Sequence, residues 1–309
     1  MMHKRNKKGM IFTLVAIVIL SIFLLTFVVV SFGNDRKSIN KRIETMNNYV
    51  YSLEEDLPRQ LYISGFRIIF IFERSIVNTG IPINNFNDSF EELFYNGTLY
   101  GASESLMNGV TYSSIMDNLF QKASSVNLIT NLTNPRVFVT QDDPWNVKVV
   151  LNVDIIIQDV GNLAYWNKTW EIVSYIPIEN FEDPMYVLNT GGLVTNRINK
   201  TSYIPFVNGT DTTNLRLHNE NFNYIASTDA PSFLNRLKGE FDANLYGIES
   251  LVYLTDLSAQ GIPVYDKSCV DHVYFSTNNS NSNNIQNMPG WFKIDDGHLN
   301  MYNVSGLVV

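Results

Sequence analysis

One uncharged segment constrains this chain more than any other feature of its sequence. Residues 10–32 read MIFTLVAIVILSIFLLTFVVVSF, and none of them carries a charged side chain. About 20 consecutive apolar residues are enough for one helix to cross the roughly 30 Å hydrocarbon core of a bilayer. We therefore predict a transmembrane helix at residues 10–32, with membrane lipid as its surroundings.

The charges before this segment predict its orientation. Lys4, Arg5, Lys7 and Lys8 make residues 1–9 a basic leader. Basic residues are enriched on the cytoplasmic side of membrane proteins. A cleaved secretory signal matches less well, because such signals have apolar cores of about 7–15 residues that end in small residues. We expect a single-pass protein of the cell membrane with a cytoplasmic N-terminus and an extracellular C-terminal domain.

The remainder of the chain is acidic. Residues 1–42 contain eight Lys and Arg against Asp35 alone, a net charge of +7, whereas the whole chain has 22 basic and 30 acidic residues. The rest therefore carries 14 basic and 29 acidic residues, a net charge of −15. Binding to a phosphate backbone needs a basic surface, so nucleic acid is not an expected partner. We expect the basic residues near the membrane to contact lipid headgroups.

Cysteine and histidine are too sparse to predict a covalent framework or a metal centre. Cys269 is the one cysteine of the sequence, which removes an intramolecular disulfide and a thiolate zinc site. Its apolar neighbours favour a buried thiol over a link between two molecules. No H-E-x-x-H or comparable spacing joins the histidines, which are His3, His218, His272 and His298. We therefore predict no metal ligand and no cofactor.

Residues 33–79 have the pattern of a helical stalk. Apolar residues recur at intervals of four and three, as in a heptad repeat, at Ile39, Ile43, Met46, Val50, Leu53 and Leu57. This stripe joins two copies of the chain or lies on the chain's own domain, and its short length favours the second interpretation. We expect Pro58 to kink or restart the helix. Residues 61–77 are apolar nearly all round, and we expect them to lie buried under the exterior domain.

The predicted fold class is α+β, with an N-terminal transmembrane helix that continues into a long kinked helix and an exterior domain, residues 80–309, built on an antiparallel β-sheet. Helical spacing occurs at 88–94 and 112–126. The period then changes to strict alternation, which predicts a three-strand meander at 136–140, 147–160 and 164–178.

The C-terminal part of this domain is less regular. Residues 196–228 are polar and have no clear period. Ser and Pro start signals predict a short helix at 233–240. Further strands or short helices are expected at 245–254, 270–276, 291–294 and 299–304.

Sequons for N-linked glycosylation all lie beyond the membrane segment. They are Asn87, Asn96, Asn131, Asn167, Asn199, Asn208, Asn278 and Asn303. A chain this rich in Asn, Ser and Thr would contain roughly five by chance, so the motif supports an exterior address without establishing it. We expect a glycoprotein in which some of these sites are unmodified.

No motif in the sequence names a reaction. A nucleophile elbow is absent from the sequence, and the carboxylates at the predicted turns lack EF-hand spacing, so we expect solvated turns rather than a calcium site. We therefore expect a cell-surface protein of structural or adhesive type that is not an enzyme. The alternative is an exterior module that binds a glycan or small ligand through surface aromatics such as Trp145, Trp166, Trp170 and Trp291. A secreted-type hydrolase is a weaker alternative.

The junction between leader and membrane segment resembles a known export signal. Gly9 ends the basic leader and Met10 begins the apolar helix, as in the class III signals of type IV pilins and archaeal pilin-like proteins. In that family a peptidase cuts after the glycine, and the apolar helix stays on the mature protein. The family usually has Glu at the fifth position after the cut, whereas this chain has Leu14.

Blocks further along the chain are similar to a group of archaeal type IV pilin-like membrane proteins. The blocks are FEELFYNGT at 90–98, DDPW at 142–145, FEDPMY at 181–186, APSFLNRL at 230–237, YGIESLV at 246–252 and SCVDHVYF at 268–275. The resemblance implies a signal cleavage between Gly9 and Met10, a pilin-style anchor and a β-rich exterior domain. It also implies self-association, or association with pilin-like subunits, through the N-terminal helix.

Overall fold

The computed structural model describes residues 7–277 and 280–309, which fall into two compact units. The first comprises the described residues up to Glu55 together with Asn118–Thr133 and Asp154–Lys168. The second comprises Asp56–Asp117, Asn134–Val153 and the described part of Thr169–Val309. The architecture is mixed α+β, with a long apolar N-terminal helix and antiparallel sheets, as the sequence predicts.

The elements are numbered along the chain. The helices are α1 Lys7–Thr79, α2 Phe86–Asn96, α3 Tyr112–Ser125, α4 Pro184–Thr190, α5 Thr213–Glu220, α6 Phe233–Leu237, α7 Leu254–Ala259 and α8 Asp271–Phe275. The strands are β1 Thr98–Leu99, β2 Ala102–Ser103, β3 Leu128–Asp143, β4 Asn146–Asp159, β5 Tyr165–Pro177, β6 Asn199–Lys200, β7 Asn223–Ala226, β8 Ile248–Ser250, β9 Ser282–Asn284 and β10 Lys293–Asp295.

Helix α1 contains both the apolar segment and the predicted stalk. It continues through Pro58, so the predicted restart at this proline is wrong, while the kink stays a prediction. A proline inside a helix removes one backbone hydrogen bond. The buried side chains of Leu57 and Leu61 on either side of it are 2% and 1% exposed, and their packing stabilises the helical conformation across the gap.

The stalk part of α1 is anchored within the first unit by a buried tyrosine. The hydroxyl of Tyr49 donates a hydrogen bond to the carbonyl oxygen of Leu119 at 3.1 Å and accepts one from Thr130 at 3.0 Å. Buried hydroxyls need such partners, because an unpaired polar group in an apolar interior costs about 1–3 kcal/mol. These bonds fix which face of α1 is buried.

The apolar stripe of the stalk is divided between buried and exposed residues. Met46 and Leu53 are 5% and 0% exposed, so this part of the stripe packs within the chain, as predicted. Ile39 and Ile43, closer to the membrane segment, are 37% and 43% exposed. The first turns of the stalk therefore keep an apolar edge that the described residues leave exposed.

The predicted meander is confirmed as a three-stranded sheet with the strand order β3–β4–β5. Strand β4 alternates between buried and half-buried residues along its whole length, which is the pattern of a strand with one face in the core. Strand β3 begins at Leu128 rather than at Arg136. The Asn and Pro residues of its first half have low β-propensity, and they conceal the alternation in the sequence.

In the second unit, α1 lies close to the sheet. A Cβ atom on Gly65 would lie 2.6 Å from Cδ1 of Ile176 and 3.0 Å from Cγ2 of Val149, which is too close for any larger residue without a shift. Ile68 and Phe72, one and two turns further along, are fully buried. Residues 61–77 are therefore buried along one side of the helix, whereas Phe66, Phe70 and Val77 on the other side are 39%, 44% and 43% exposed.

A small mixed sheet occupies the part of the chain that has no clear period. Strand β6 pairs in parallel with β7, and β7 pairs antiparallel with β8, with Tyr224 opposite Ser250. Helix α5 precedes β7 within the same polar segment. Tyr224 is fully buried, so its side chain, rather than an apolar run, fixes the segment in the core.

The C-terminal residues build one buried cluster in the second unit. Helix α6 begins where the sequence predicts, with the Ser232 hydroxyl accepting a hydrogen bond from the amide of Asn235 at 3.3 Å, and it ends at Leu237 rather than at Glu240. The predicted segment 270–276 contains the short helix α8, Asp271–Phe275, and β9 pairs antiparallel with β10. Leu257, Phe292 and Tyr302 are among the fully buried members of this core.

Candidate functional site

The apolar part of α1 is left uncovered by the described residues. From Ile11 to Ser31 every side chain is exposed, and the exposed fraction reaches 79% for Phe12 and 70% for Phe23. Among the described residues, α1 is the one helix long and apolar enough to cross a membrane. A helix that is apolar on all sides is unfavourable in water, so this segment needs an apolar environment from outside the described chain.

The predicted cleavage junction lies at the start of α1. Gly9 and Met10 are both within the helix, and Leu14 is 64% exposed. His3 and the first basic residues of the leader, Lys4 and Arg5, lie outside the described residues. Cleavage after Gly9 therefore stays a prediction.

Every predicted glycosylation site that the structure describes has an exposed side chain. The exposed asparagines are Asn87, Asn96, Asn131, Asn167, Asn199, Asn208 and Asn303. Asn278 lies outside the described residues. A glycan is bulky and needs an acceptor on the surface, a condition that these asparagines meet.

The four tryptophans of the ligand-binding alternative are buried or half-buried. Trp170 is 8% exposed, and Trp145, Trp166 and Trp291 are half-buried. The indole of Trp291 packs edge-on against Tyr253 with a centroid distance of 5.6 Å, as a core aromatic does. Trp170 is therefore a core residue, whereas the other three rings keep part of their surface accessible, and ligand binding through them stays a prediction.

Cys269 is fully buried, as its apolar neighbours predict. Burial raises the pKa of its thiol to about 12, which keeps the sulfur protonated and unreactive. Two of the carboxylates at the sheet turns have local hydrogen-bond partners. Asp142 pairs with Lys148 at 2.8 Å, and Asp143 accepts a hydrogen bond from the amide of Trp145.

The structure brings together three ligand-type side chains that are distant in sequence. Glu249 lies in β8, His272 in α8, and His298 follows β10. Each offers one oxygen or nitrogen atom, and these atoms all lie within 4.8 Å of one another. The side chains of Glu249, His272 and His298 are 0%, 10% and 7% exposed, so the cluster is enclosed by the core.

Each histidine of this cluster has a carboxylate on its Nδ1 side. Nδ1 of His298 lies 2.7 Å from Oδ1 of Asp295, and Nδ1 of His272 lies 3.3 Å from Oδ1 of Asp271. Ser268 donates a hydrogen bond to the second oxygen of Asp295 at 2.7 Å. Carboxylates in this position fix the orientation of an imidazole ring and direct its Nε2 atom away from them.

Two atoms at the centre of the cluster are buried without a hydrogen-bond partner. Oε2 of Glu249 and Nε2 of His298 are 3.4 Å apart, and neither makes a hydrogen bond of acceptable angle in the described structure. The other carboxylate oxygen of Glu249 accepts a hydrogen bond from the hydroxyl of Tyr302 at 2.9 Å. In the described structure, one oxygen of the Glu249 carboxylate therefore has a hydrogen-bond partner and the other has none.

The surrounding carboxylates favour positive charge at this point. Burial alone would lower the pKa of His298, but the bond to Asp295 and the nearby Glu249 carboxylate raise it to about 10. Burial likewise opposes ionisation of Asp295, yet hydrogen bonds from His298 and Ser268 lower its pKa. The two carboxylates therefore stabilise positive charge on the His298 ring.

A buried ion network lies next to the cluster. The guanidinium of Arg236, in α6, is 0% exposed and contacts Asp183 at 2.5 Å and Asp271 at 2.9 Å. Arg236 also donates a hydrogen bond to the carbonyl oxygen of Ile248. Although burial opposes it, Arg236 holds the pKa of Asp271 well below its usual range. Asp271 thus connects this network to His272 through one carboxylate.

Sequence reasoning missed the cluster because no short spacing joins its members. A weak signal existed in the Asp-His pair 271–272 and in the D-x-x-H pattern 295–298, since each histidine has an aspartate within one helical turn. Such pairs indicate a site only when the fold places both of them next to one glutamate.

Comparison of the chain with family models, with curated proteins and with solved structures finds no match. The functional argument therefore depends on the residues described above.

Proposed function

We propose that this chain is a cell-surface protein anchored by a single transmembrane helix at residues 10–32. The observation that carries the proposal is that every side chain from Ile11 to Ser31 is exposed in the described structure. At about 1.5 Å per residue this segment matches the thickness of the hydrocarbon core, and lipid would bury the side chains that the protein leaves exposed.

In this proposal the basic leader is cytoplasmic and the domain at residues 80–309 is extracellular. Its support is the charge asymmetry, +7 for residues 1–42 against −15 for the rest, together with the exposed sequons. The extracellular domain would then be a glycoprotein, and membrane lipid would be the partner of the anchor.

The proposed role is structural or adhesive, in the manner of an archaeal pilin-like protein. The support is the resemblance of the Gly9–Met10 junction and of the later sequence blocks to that family. The apolar edge at Ile39 and Ile43 adds a surface next to the anchor through which a second copy or a pilin-like subunit could pack. The alternative, glycan binding, has less support, since Trp170 is buried and the other three tryptophans are half-buried.

Alkaline carbonate extraction of membranes tests the anchor. We expect the full-length protein to stay in the membrane pellet. A Leu20→Arg/Leu24→Arg variant should be released or fail to insert, because each arginine near the helix centre costs about 2.5–3.5 kcal/mol on insertion scales. The matched Leu20→Ala/Leu24→Ala control should stay in the pellet. Release of the unmodified protein into the carbonate supernatant would contradict the anchor.

The structural role is tested in cells that lack the protein. We expect reduced attachment to surfaces, and a changed cell envelope in electron micrographs, while growth in suspension is unaltered. Restoring the full-length chain should restore attachment, whereas a chain that begins at Asn34 should not, because it lacks the anchor. Unchanged attachment and an unchanged envelope would contradict the proposal.

A further inference from the structure

We propose that Glu249, His272 and His298 bind a divalent transition-metal ion of the zinc class, which joins three elements of the C-terminal core. The ligand atoms would be Oε2 of Glu249 and Nε2 of each histidine. The bound ion would connect β8, helix α8 and the turn after β10, which are separate elements of the second unit.

The distances fit this ion. Zinc binds imidazole nitrogen and carboxylate oxygen at about 2.0–2.2 Å with tetrahedral geometry, which places two of its ligands roughly 3.4 Å apart. Oε2 of Glu249 and Nε2 of His298 are separated by 3.4 Å. One ring nitrogen of His272 lies within 4.8 Å of a ligand atom of each of the other two residues, so His272 needs to approach by at most about 1.5 Å to complete the site.

The two unsatisfied atoms, Oε2 of Glu249 and Nε2 of His298, are placed to bind a common ion rather than each other. Oε2 of Glu249 and Nε2 of His298 are close enough for a hydrogen bond, yet their directions do not form one. Buried polar groups in proteins nearly always have a partner, and leaving one unpaired costs about 1–3 kcal/mol. A metal ion between the two atoms would satisfy both at once.

The supporting groups are those of known metal centres. Metal-binding histidines donate their second ring N–H to a carboxylate or carbonyl, which fixes the ring and makes the ligating nitrogen more basic. Asp295 stands in this position for His298, and Asp271 for His272. Both aspartates are themselves held, Asp295 by Ser268 and Asp271 by Arg236.

The charge of the region also favours a cation. Asp183, Asp271, Glu249 and Asp295 are all less than 5% exposed, and Arg236 is the one buried lysine or arginine side chain among the described residues. Arg236 contacts Asp183 and Asp271. Glu249 and Asp295 instead lie next to His298. A divalent ion would offset the negative charge that remains.

The ligand set decides the class of metal and its role. Two imidazoles with one carboxylate suit zinc and its neighbours in the first transition row, whereas Mg²⁺ and Ca²⁺ prefer oxygen ligands alone. Three protein ligands leave a fourth position for a water molecule. Since all three side chains are enclosed in the core, we infer a stabilising site. A chain without disulfides gains from such a connection in the same way as a cross-linked one.

Cobalt and zinc titrations of the full-length protein in detergent, after removal of metal with a chelator, test this inference. We expect visible d–d absorption of tetrahedral Co²⁺ that saturates at one ion per chain, disappears on addition of Zn²⁺, and accompanies a higher melting temperature. X-ray absorption of the zinc-loaded protein should show two imidazole ligands. Folded protein that binds neither ion, or binds zinc without imidazole, would overturn the proposal.

Variants separate this site from adventitious surface binding. Glu249→Gln and His298→Asn should each weaken Co²⁺ binding by at least about a hundredfold, and Asp295→Asn, which removes the support of His298, by about 10–100-fold. The control Asp296→Asn changes an exposed neighbour in the same turn and should bind normally. Unchanged affinity in the two ligand variants would overturn the proposal. Where a variant does not fold, the spectra of the unmodified protein decide.

Discussion

Glu73 provides a quantitative test of how the buried part of α1 limits stability. Its side chain lies in the second unit with a residue exposure of 6%, and its Oε1 atom has no hydrogen-bond partner in the described structure. Burial, together with the nearby carboxylates of Glu182 and Asp183, raises its pKa from 4.5 to about 9. The folded protein therefore holds a proton on Glu73 at neutral pH, whereas the unfolded chain does not.

The sign of the effect follows from proton linkage. The folded state binds more protons than the unfolded state between pH 4.5 and about 9, so the free energy of unfolding falls as the pH rises through this window. At pH 7, which is about 2.5 pH units above the ordinary pKa, the loss is about 3 kcal/mol. Glutamine has a similar shape and never ionises, so Glu73→Gln should recover this amount.

Chemical denaturation of the full-length protein in detergent, repeated from pH 4 to pH 9, measures the difference. We expect Glu73→Gln and the unmodified protein to have equal stability near pH 4, with the variant more stable by about 3 kcal/mol at pH 7 and by more at pH 8.5. The exposed Glu171→Gln serves as the control and should show no such divergence. A difference that does not change with pH would refute the reasoning.

Three further predictions concern the sheet, the buried arginine and the N-terminus. Leu151→Asp places a charge on the buried face of β4 and should lower the free energy of unfolding by several kcal/mol, whereas Asn152→Asp on the other face should change it little in the same denaturation assay. Arg236→Leu leaves the carboxylates of Asp183 and Asp271 buried without their cation and should cost about 3–5 kcal/mol; a melting temperature equal to that of the unmodified protein would contradict this. The purified chain should form no long filaments by itself, because Leu14 cannot pair with a new amine on Met10; negative-stain images would show any filaments, and mass spectrometry would show whether residues 1–9 remain.

The sequence predicts best where one period continues over many residues. The alternation in β4 and the apolar pattern of residues 61–77 each reflect a continuous buried face, so local pattern and tertiary packing agree. The small sheet formed by β6, β7 and β8 was missed, because its strands are two to four residues long and one of its pairings is parallel. Strands this short are defined by partners that are distant in the chain.

The candidate metal centre shows the same limit more sharply. Its ligands occupy a strand, a helix and a turn, and no spacing rule connects them. The sequence does contain the local part of the arrangement, an aspartate near each histidine, because a residue that orients a ring must lie close to it. Only the fold places both histidines next to Glu249, and no spacing in the sequence predicts that placement.

Protease treatment of intact cells tests the central claim, that α1 anchors a domain outside the cell. Exposed segments beyond the anchor, such as the turn at Gly191 and Gly192, should be cut while a cytosolic control protein stays intact. Mass spectrometry should then find peptides of residues 80–309 in the medium and the N-terminal segment still in the membrane. Protection of residues 80–309 equal to that of the cytosolic control would contradict the account.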